Sequence, residues 1–133
     1  MNKRIVWSLF VLCFLASAVF GTIYVNDLNI LGPGDTLQFQ IYTYANAEKK
    51  PVTMSIYKVE DAFSVFLNGL DYNEIESVLS GKEALIHYQI PVDSSWQRES
   101  FPLTFFKDLG GYICRLSRDK EITYACVERT DKI

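Results

Sequence analysis

Two adjacent glycines followed by a strand-like run constrain the fold of this chain more than any other feature. Gly110 and Gly111 predict a tight corner, because glycine alone enters conformations with positive φ at no steric cost. Residues 112–117 then alternate between two faces, which is the period-two pattern of a half-buried strand. One face holds Tyr112, Cys114 and Leu116. A polar turn at 118–121 and a returning strand at 122–128 complete a predicted C-terminal β-hairpin.

The N-terminal segment has the layout of a secretory signal peptide. Lys3 and Arg4 form a short basic start, residues 5–15 are almost entirely apolar, and small residues follow. The apolar run is shorter than the roughly 20 residues that a membrane-spanning helix needs. We therefore predict that residues 1–21 direct export and are removed, which leaves residues 22–133 as one secreted or periplasmic domain.

Two cleavage positions fit this segment. Cleavage after Ala18 uses Ala16 and Ala18 as the small flanking residues, and cleavage after Gly21 uses Val19 and Gly21. The residues alone do not separate the two positions. Neither product retains a segment that would form a stable membrane span.

The charge of the chain argues against one class of partner. The 133 residues carry a formal charge of −3, and removal of the segment with Lys3 and Arg4 makes it −5, since that segment contains no acidic residue. A mildly acidic chain without a basic run does not have the charge pattern of a nucleic-acid-binding protein.

Alternating apolar and polar residues predict further strands upstream of the hairpin. A short edge strand is expected at 22–26, and a Pro-Gly turn at 31–35 leads into a long strand at 36–45. After a polar hairpin loop at 46–51, an adjacent antiparallel strand is expected at 52–59. The same alternation predicts later strands at 84–90 and 101–105, separated by a polar stretch.

Between residues 61 and 80 the apolar period changes to that of a helix. Asp61 is a possible cap and Asn68-Gly69 a plausible end of a first helix, and Asn73 is a possible cap of a second. The first helix would bury a stripe of Phe63, Phe66, Leu67 and Leu70. The length suits a helical crossover from one sheet to the other, although a surface lid is equally compatible. About seven short strands and this crossover predict an all-β fold, an antiparallel two-sheet β-sandwich.

Cys114 and Cys126 are the cysteines outside the predicted signal peptide. A turn centred near Lys120 would place them opposite each other, at a separation that a disulfide bridges. An oxidising compartment would favour this bond. The alternative is a pair of buried thiols that pack as small apolar groups.

Tyr42, Tyr44 and Tyr57 occupy the predicted outward positions of two strands. They form a possible binding surface for a carbohydrate or a protein. The simpler interpretation, which the pattern favours, is a set of cross-strand tyrosine pairs that cover the sheet.

No constellation of residues predicts catalysis, a cofactor or a metal site. The single histidine, His87, lies on the strand face opposite the apolar one, and no nucleophile elbow surrounds Ser94 or Ser95. The acidic stretch with Asp71 and Glu76 lacks the glycine and the distal acid of a calcium loop. We therefore expect a protein that is not an enzyme.

Three segments resemble the opening domain of bacterial alpha-2-macroglobulin-like proteins. Gly32-Pro33-Gly34-Asp35-Thr36-Leu37 resembles the "PGE" turn that leads into its first long strand. Ser55-Ile56-Tyr57-Lys58-Val59-Glu60-Asp61 is similar to its "iYRVdd" strand, with Lys58 in place of the usual arginine. Leu109-Gly110-Gly111-Tyr112-Ile113-Cys114 resembles its "pGvYlv" strand start, with Cys114 in place of an apolar residue. The segments occur in the family's order and span most of residues 30–130.

The same corner also resembles a second family. Asp108-x-Gly110-x-Tyr112-x-Cys114 fits the D-x-G-x-Y-x-C pattern of immunoglobulin domains, in which the tyrosine hydroxyl pins the corner. The processed chain has no upstream cysteine, and Trp96 is too close to Cys114 for the usual core tryptophan. Both resemblances imply a sandwich and a structural role for Tyr112.

The macroglobulin resemblance implies a scaffold role. Full-length members of that family are large multi-domain protease traps, many of which use a thioester in a Cys-Gly-Glu-Gln motif that this chain lacks. The resemblance therefore implies a non-catalytic secreted or periplasmic structural or docking module, with neighbouring macroglobulin-like domains or an envelope protein as its partner. The alternative is a free-standing immunoglobulin-like module that binds a glycan or a surface protein.

Overall fold

The structure, a computed structural model, describes residues 22–69 and 71–131. These residues form eight strands, two α-helices and one short 3-10 helix. The strands are β1 (Ile23–Val25), β2 (Leu28–Leu31), β3 (Thr36–Tyr42), β4 (Val52–Lys58), β5 (Ile86–Ile90), β6 (Trp96–Pro102), β7 (Gly110–Arg118) and β8 (Glu121–Arg129). Helices α1 (Ala62–Leu67) and α2 (Tyr72–Leu79) lie between β4 and β5, and the 3-10 helix (Leu103–Phe105) follows β6. The predicted signal peptide lies outside the described residues.

The strands form a small sheet of order β1-β3-β6 and a large sheet of order β2-β8-β7-β4-β5. Neighbouring strands are antiparallel except β2 and β8, which run parallel. The predicted all-β, sandwich-like fold is confirmed. The described residues use eight strands, however, and the predicted count was about seven.

Alternation on the strands creates the core between the two sheets. The small sheet contributes the buried side chains Ile23, Leu37, Phe39, Ile41 and Phe101. The large sheet faces them with Leu31, Val52, Met54, Ile56, Ile90, Tyr112, Cys114, Leu116, Ala125 and Val127. Each fully buried aliphatic side chain contributes about 1.5–3 kcal/mol of transfer free energy, so this layer is the main source of stability.

The helices cover the outer face of the large sheet. Ala62 and Val65 of α1 and Ile75 and Leu79 of α2 are buried there. They pack with outward-facing residues of β7 and β8, which include Ile113, Tyr124 and Cys126. The strands β7 and β8 of the large sheet are therefore covered on both faces, whereas His87 and Gln89 of the edge strand β5 remain exposed.

This arrangement corrects the predicted crossover. Strands β4 and β5, which flank the helices, are antiparallel neighbours in the same sheet, with Val52 paired with Ile90 and Ile56 paired with Ile86. The helical segment therefore connects two neighbouring strands of one sheet and does not carry the chain to the other sheet. The alternative interpretation, a cover on the surface of one sheet, describes it better.

The predicted pairing of the strands at 36–45 and 52–59 was wrong. Strand β3 pairs with β1 and β6 in the small sheet, whereas β4 pairs with β5 and β7 in the large sheet. The polar loop at 46–51 thus passes from one sheet to the other. Alternation shows that both strands have a buried face, but it does not show which sheet each strand joins.

The helix boundaries also differ from the prediction in their details. The cap of α2 is Asp71 and not Asn73, because the Asp71 carboxylate accepts from the Glu74 N–H at 2.9 Å and the Glu74 carboxylate accepts from the Asp71 N–H at 3.3 Å. In α1 the buried side chains are Ala62 and Val65, whereas Leu67 is 70% exposed. Leu70, the fourth residue of the predicted stripe, lies outside the described residues.

Candidate interaction surface

The outer face of the small sheet carries a cluster of aromatic rings. We call Tyr24, Tyr42, Tyr44 and Trp96 the aromatic face. Tyr42 lies at the centre of the cluster, with ring centroids 5.1 Å from Tyr44 and 5.5 Å from Trp96, and Tyr24 lies 5.7 Å from Trp96. Such edge-on and tilted contacts hold the rings in fixed orientations.

The register of the small sheet determines which side chains share this face. Ile23 pairs with Ile41 and both point into the core, so their neighbours Tyr24 and Tyr42 point outward. Tyr42 lies opposite Trp96. The aromatic face is thus a direct consequence of the alternation that builds the core.

The aromatic face remains largely open to solvent. Tyr24, Tyr44 and Trp96 are 47%, 44% and 53% exposed. Large exposed aromatic side chains that lie together mark interaction sites more often than isolated ones do. The rings contact one another. No helix among the described residues lies over this sheet in the way that α1 and α2 lie over the large one.

Polar side chains border the rings. Gln40 lies between Tyr24 and Arg98 in one row across the three strands. An open groove of about 560 Å³ lies here, and its polar lining residues include Gln38, Gln40 and Arg98. Arg98 is the one charged side chain at the outward positions of β1, β3 and β6.

The structure brings together only some of the tyrosines that the sequence singles out. Tyr42 and Tyr44 lie on the aromatic face, but Tyr57 lies on β4 in the large sheet and packs against the residues under the helices. Tyr57 is therefore not part of this surface. Tyr24 and Trp96 were missed by the sequence prediction, although the alternation around Tyr24 in β1 could have indicated it.

The glycine corner at the start of β7 is closed by Tyr112. Its hydroxyl donates to the Asp108 carbonyl at 2.5 Å and accepts from the Asp108 N–H at 2.8 Å. Gly110 has φ of +112°, and a Cβ at Gly111 would lie 2.4 Å from the Val59 carbonyl oxygen. Glycine is thus needed at 110 for its conformation and at 111 for the close approach of a neighbouring backbone.

Burial explains the role of the Tyr112 ring. The side chain is fully buried, and desolvation raises the pKa of its phenol. The Lys58 ammonium lies 4.8 Å from the ring centroid, and the Phe106 ring lies 5.2 Å away. These contacts make Tyr112 a structural residue at the junction of β7 with the core.

The predicted disulfide was wrong. Both cysteines are free, and the register pairs Cys126 with Ile113 and Cys114 with Ala125. Cys114 therefore faces the core between the sheets, whereas Cys126 faces the helices. The hairpin turn is centred between Asp119 and Lys120, half a residue before the predicted centre, and this shift moves the pairing by one residue.

Burial also makes the two thiols unreactive. Desolvation raises the pKa of both groups, that of Cys126 to about 12. A thiol with a raised pKa contains little thiolate, which is the nucleophilic form. The structure therefore fits the alternative interpretation, in which the cysteines pack as small apolar groups.

Two hydrogen bonds to the Glu76 carboxylate anchor α2 to the large sheet. The Glu76 carboxylate accepts hydrogen bonds from the Tyr124 hydroxyl and from the Arg115 side chain, the latter at 2.5 Å. These two donors, Tyr124 first, lower the pKa of Glu76. Desolvation and then the bond to Glu76 raise the pKa of Tyr124. The acidic residues of this segment thus serve as a helix cap and an anchor.

His87 makes a cross-strand hydrogen bond. Its Nδ1 lies 2.9 Å from the Oγ of Ser55, which is directly opposite on β4. Among the described residues no carboxylate bonds to the other ring nitrogen of His87. No group of three or more His, Cys, Asp or Glu side chains in the described part of the chain could hold a metal ion.

Comparisons with known proteins add no family to these observations. No protein-family model matches the chain, and none of the curated proteins is similar to it at a significant level. Within residues 22–69 and 71–131, no helix has both the length and the apolar character that crossing a membrane requires.

Proposed function

We propose that this chain is a secreted or periplasmic macroglobulin-like β-sandwich that acts as a non-catalytic docking module for a protein partner. The observation that carries the proposal is the aromatic face. The large sheet has a helical cover on its outer face, whereas the small sheet presents Tyr24, Tyr44 and Trp96 about half exposed. A partner that packs on these rings would add a fourth layer to the helices and the two sheets.

The composition of the small sheet's outer face favours a protein as the partner. Tyrosine, tryptophan and arginine are enriched at the centres of protein interfaces, and other charged residues are depleted there. The outward positions hold Tyr24, Tyr42, Trp96 and Arg98 among uncharged residues. The rings would supply most of the binding energy, and the amides and Arg98 would orient the partner.

The resemblance to the opening domain of alpha-2-macroglobulin-like proteins supports the same proposal. Its three segments are the turn into β3, strand β4 with the start of α1, and the entry to β7. The partner that the resemblance implies is a neighbouring macroglobulin-like domain or a separately encoded envelope protein, in an assembly related to alpha-2-macroglobulin-type protease inhibitors. The chain would supply a scaffold surface and no catalytic group.

Affinity capture with matched variants tests this proposal. The tagged protein, Trp96→Ala and the control Leu67→Ala are each incubated with envelope extract, and bound proteins are identified by mass spectrometry. Leu67 is 70% exposed on the helical side of the molecule, so its loss removes a comparable apolar group elsewhere. We expect one protein that the wild type and Leu67→Ala retain and that Trp96→Ala loses. Equal capture by all three would contradict the proposed surface.

A second candidate function, binding of a glycan by a free-standing immunoglobulin-like module, rests on the groove beside the rings. Sugar rings stack on aromatic side chains through their apolar faces, and amide and guanidinium groups hydrogen-bond their hydroxyls. Tyr24, Gln40 and Arg98 offer both kinds of group in one row. A glycan array probed with the wild type and with Tyr24→Ala distinguishes the candidates. A glycan signal that Tyr24→Ala abolishes would favour this function over protein docking.

A further inference from the structure

The carboxylate of Glu121, the first residue of β8, accepts hydrogen bonds from Thr22 and Ile23 at the N-terminal end of the described residues. Its carboxylate accepts from the Thr22 N–H at 3.2 and 3.3 Å and from the Ile23 N–H at 3.0 Å. The Thr22 hydroxyl also donates to it. Every donor that reaches this carboxylate in the described residues thus comes from Thr22 or Ile23.

Glu121 has no cationic partner in the described part of the chain. The ion pairs there join Lys50 to Asp119, Lys58 to Glu60 and Arg115 to Glu76. The nearby Arg118 guanidinium instead donates to the Tyr42 carbonyl at 2.7 Å and to the Thr43 hydroxyl at 2.9 Å. Amides and a hydroxyl hold this half-buried carboxylate without neutralising its charge. A nearby positive charge would stabilise it further, because charge-assisted hydrogen bonds are stronger than those from neutral donors.

Cleavage of one particular peptide bond would supply that charge. If the bond between Gly21 and Thr22 is hydrolysed, the Thr22 nitrogen becomes an α-ammonium that already lies within 3.3 Å of both carboxylate oxygens. Cleavage after Ala18 leaves this nitrogen as a neutral amide and places the new ammonium three residues upstream. The two cleavage positions therefore differ in whether Glu121 gains an ion pair.

We propose that the Gly21–Thr22 bond is the processing site of this chain and that the Thr22 α-ammonium pairs with Glu121. The inference rests on the proposed export. A leader endopeptidase that accepts small residues, here Val19 and Gly21, would break the C–N bond. Water supplies the oxygen of the new Gly21 carboxylate, and the Thr22 amine is protonated at neutral pH. The ion pair would fix the start of β1 against the start of β8.

Processing of the full precursor in a secreting bacterial host tests the cleavage site. We expect the exported protein to begin at Thr22 by N-terminal sequencing and intact mass. Gly21→Leu should block this product, because it places a bulky residue next to the bond that is cut. The matched Ala18→Leu should leave it unchanged, because Ala18 is neither of the two small flanking residues, Val19 and Gly21, of this site. A product that begins at Val19, or a block by Ala18→Leu alone, would overturn the inference without affecting the docking proposal. An exported protein with no cleavage would overturn this inference and the secretory interpretation of residues 1–21 together.

The ion pair has its own readout in the exported protein. The other charged groups that line the cavity around Thr22 and Glu121 are Glu48, Arg118, Asp119 and Lys120. We expect the pKa of the α-amine, measured from the pH dependence of its acylation, to lie above the range of about 7.7–8.0 typical of such groups. Glu121→Gln should return it to that range and lower the melting temperature by about 2–4 °C. Glu48→Gln, the matched control, should change neither value as much. An unshifted α-amine pKa in the wild type would contradict the ion pair.

Discussion

The outer faces of the two sheets differ in what covers them. On the large sheet, outward side chains such as Ile113 and Cys126 are fully buried beneath α1 and α2. On the small sheet, Tyr24 and Trp96 point outward and remain about half exposed. Alternating apolar residues build the inner face of each sheet in the same way. The two sheets therefore differ in what lies on their outer faces.

The comparison separates residues that stabilise the fold from residues that are available for binding. An outward side chain on the covered sheet loses its contacts with the helices when it is truncated, and the molecule loses stability. An outward ring on the uncovered sheet has few contacts to lose within the chain. Truncation there should cost little stability and should instead remove binding energy, which is the pattern of an interaction surface.

The largest effect that we predict comes from the covered face. Ile113→Ala should lower the free energy of unfolding by about 3 kcal/mol, because it removes a fully buried side chain between β7 and the helices and leaves a cavity. Urea denaturation measures this change. A loss below about 1 kcal/mol would mean that the helices do not pack tightly on this sheet.

The close approach of β7 to the segment that joins β4 to α1 gives the second prediction. Gly111→Ala should cost about 2–3 kcal/mol, because the new Cβ would lie 2.4 Å from the Val59 carbonyl oxygen and 3.2 Å from the Ala62 Cβ. Backbone must move to relieve the first contact. Thermal unfolding measures the effect, and an unchanged midpoint would indicate that the Val59 backbone lies farther from β7.

The anchor of α2 gives a smaller, pH-dependent effect. Glu76→Gln should lower the free energy of unfolding at pH 7 by about 1 kcal/mol, since Glu76 is partly exposed and solvent screens its pairing with Arg115. Hydrogen bonds from Tyr124 and then Arg115 lower the pKa of Glu76 in the folded state. Such a group stabilises the fold above its unfolded pKa of about 4.3 and loses that contribution as the pH falls through its folded pKa.

Denaturation curves at several pH values test this anchor. The wild type and Glu76→Gln should differ above about pH 5 and converge in more acidic solution. A difference that stays constant down to about pH 2 would show that the carboxylate charge is not responsible. Glu83→Gln, at an exposed position in the connection to β5, is a suitable control.

The smallest effect on stability should come from the aromatic face. Trp96→Ala should change the free energy of unfolding by no more than about 0.5 kcal/mol, because the ring is 53% exposed and its ring contacts are with Tyr24 and Tyr42 on the same outer face. Calorimetry beside Ile113→Ala makes the contrast quantitative. A loss as large as that of Ile113→Ala would mean that the rings stabilise the fold, and the comparison between the two faces would fail.

Much of the fold could be predicted from local patterns. The alternation on β3, β4 and β7 identifies the side chains that point into the core, and the glycines at 110 and 111 mark the corner before β7. The sequence analysis placed a strand at 101–105, but β6 ends at Pro102 and residues 103–105 form the 3-10 helix. It missed residues 96–100 of β6, because the inward positions there hold Gln97 and Glu99 and no apolar alternation precedes Phe101. Sheet membership also could not be predicted, since it depends on contacts between distant segments.

Alternation predicted only part of the candidate surface, because it does not show which sheet a strand joins. Tyr42 and Tyr44 follow from the alternation of the predicted strand at 36–45. Tyr42 is the last residue of β3 in the small sheet, and Tyr44 lies just beyond it. Tyr57 was assigned to the same surface by the same rule, but it lies in the large sheet, where outward positions are covered. Trp96 belongs to the missed part of β6. The cysteine pairing failed because a half-residue shift in a turn reverses which face each residue of the returning strand occupies.

Site-specific photo-crosslinking compares the two outer faces most directly. A benzoylphenylalanine is placed at Trp96 on the aromatic face or at Leu67 on the helical side, both of which are more than half exposed. Each protein is irradiated in envelope extract, and crosslinked products are identified by mass spectrometry. The docking account predicts a discrete protein adduct from position 96 and none from position 67. An adduct of the same partner from position 67 alone would contradict it and would place the interaction surface on the helices.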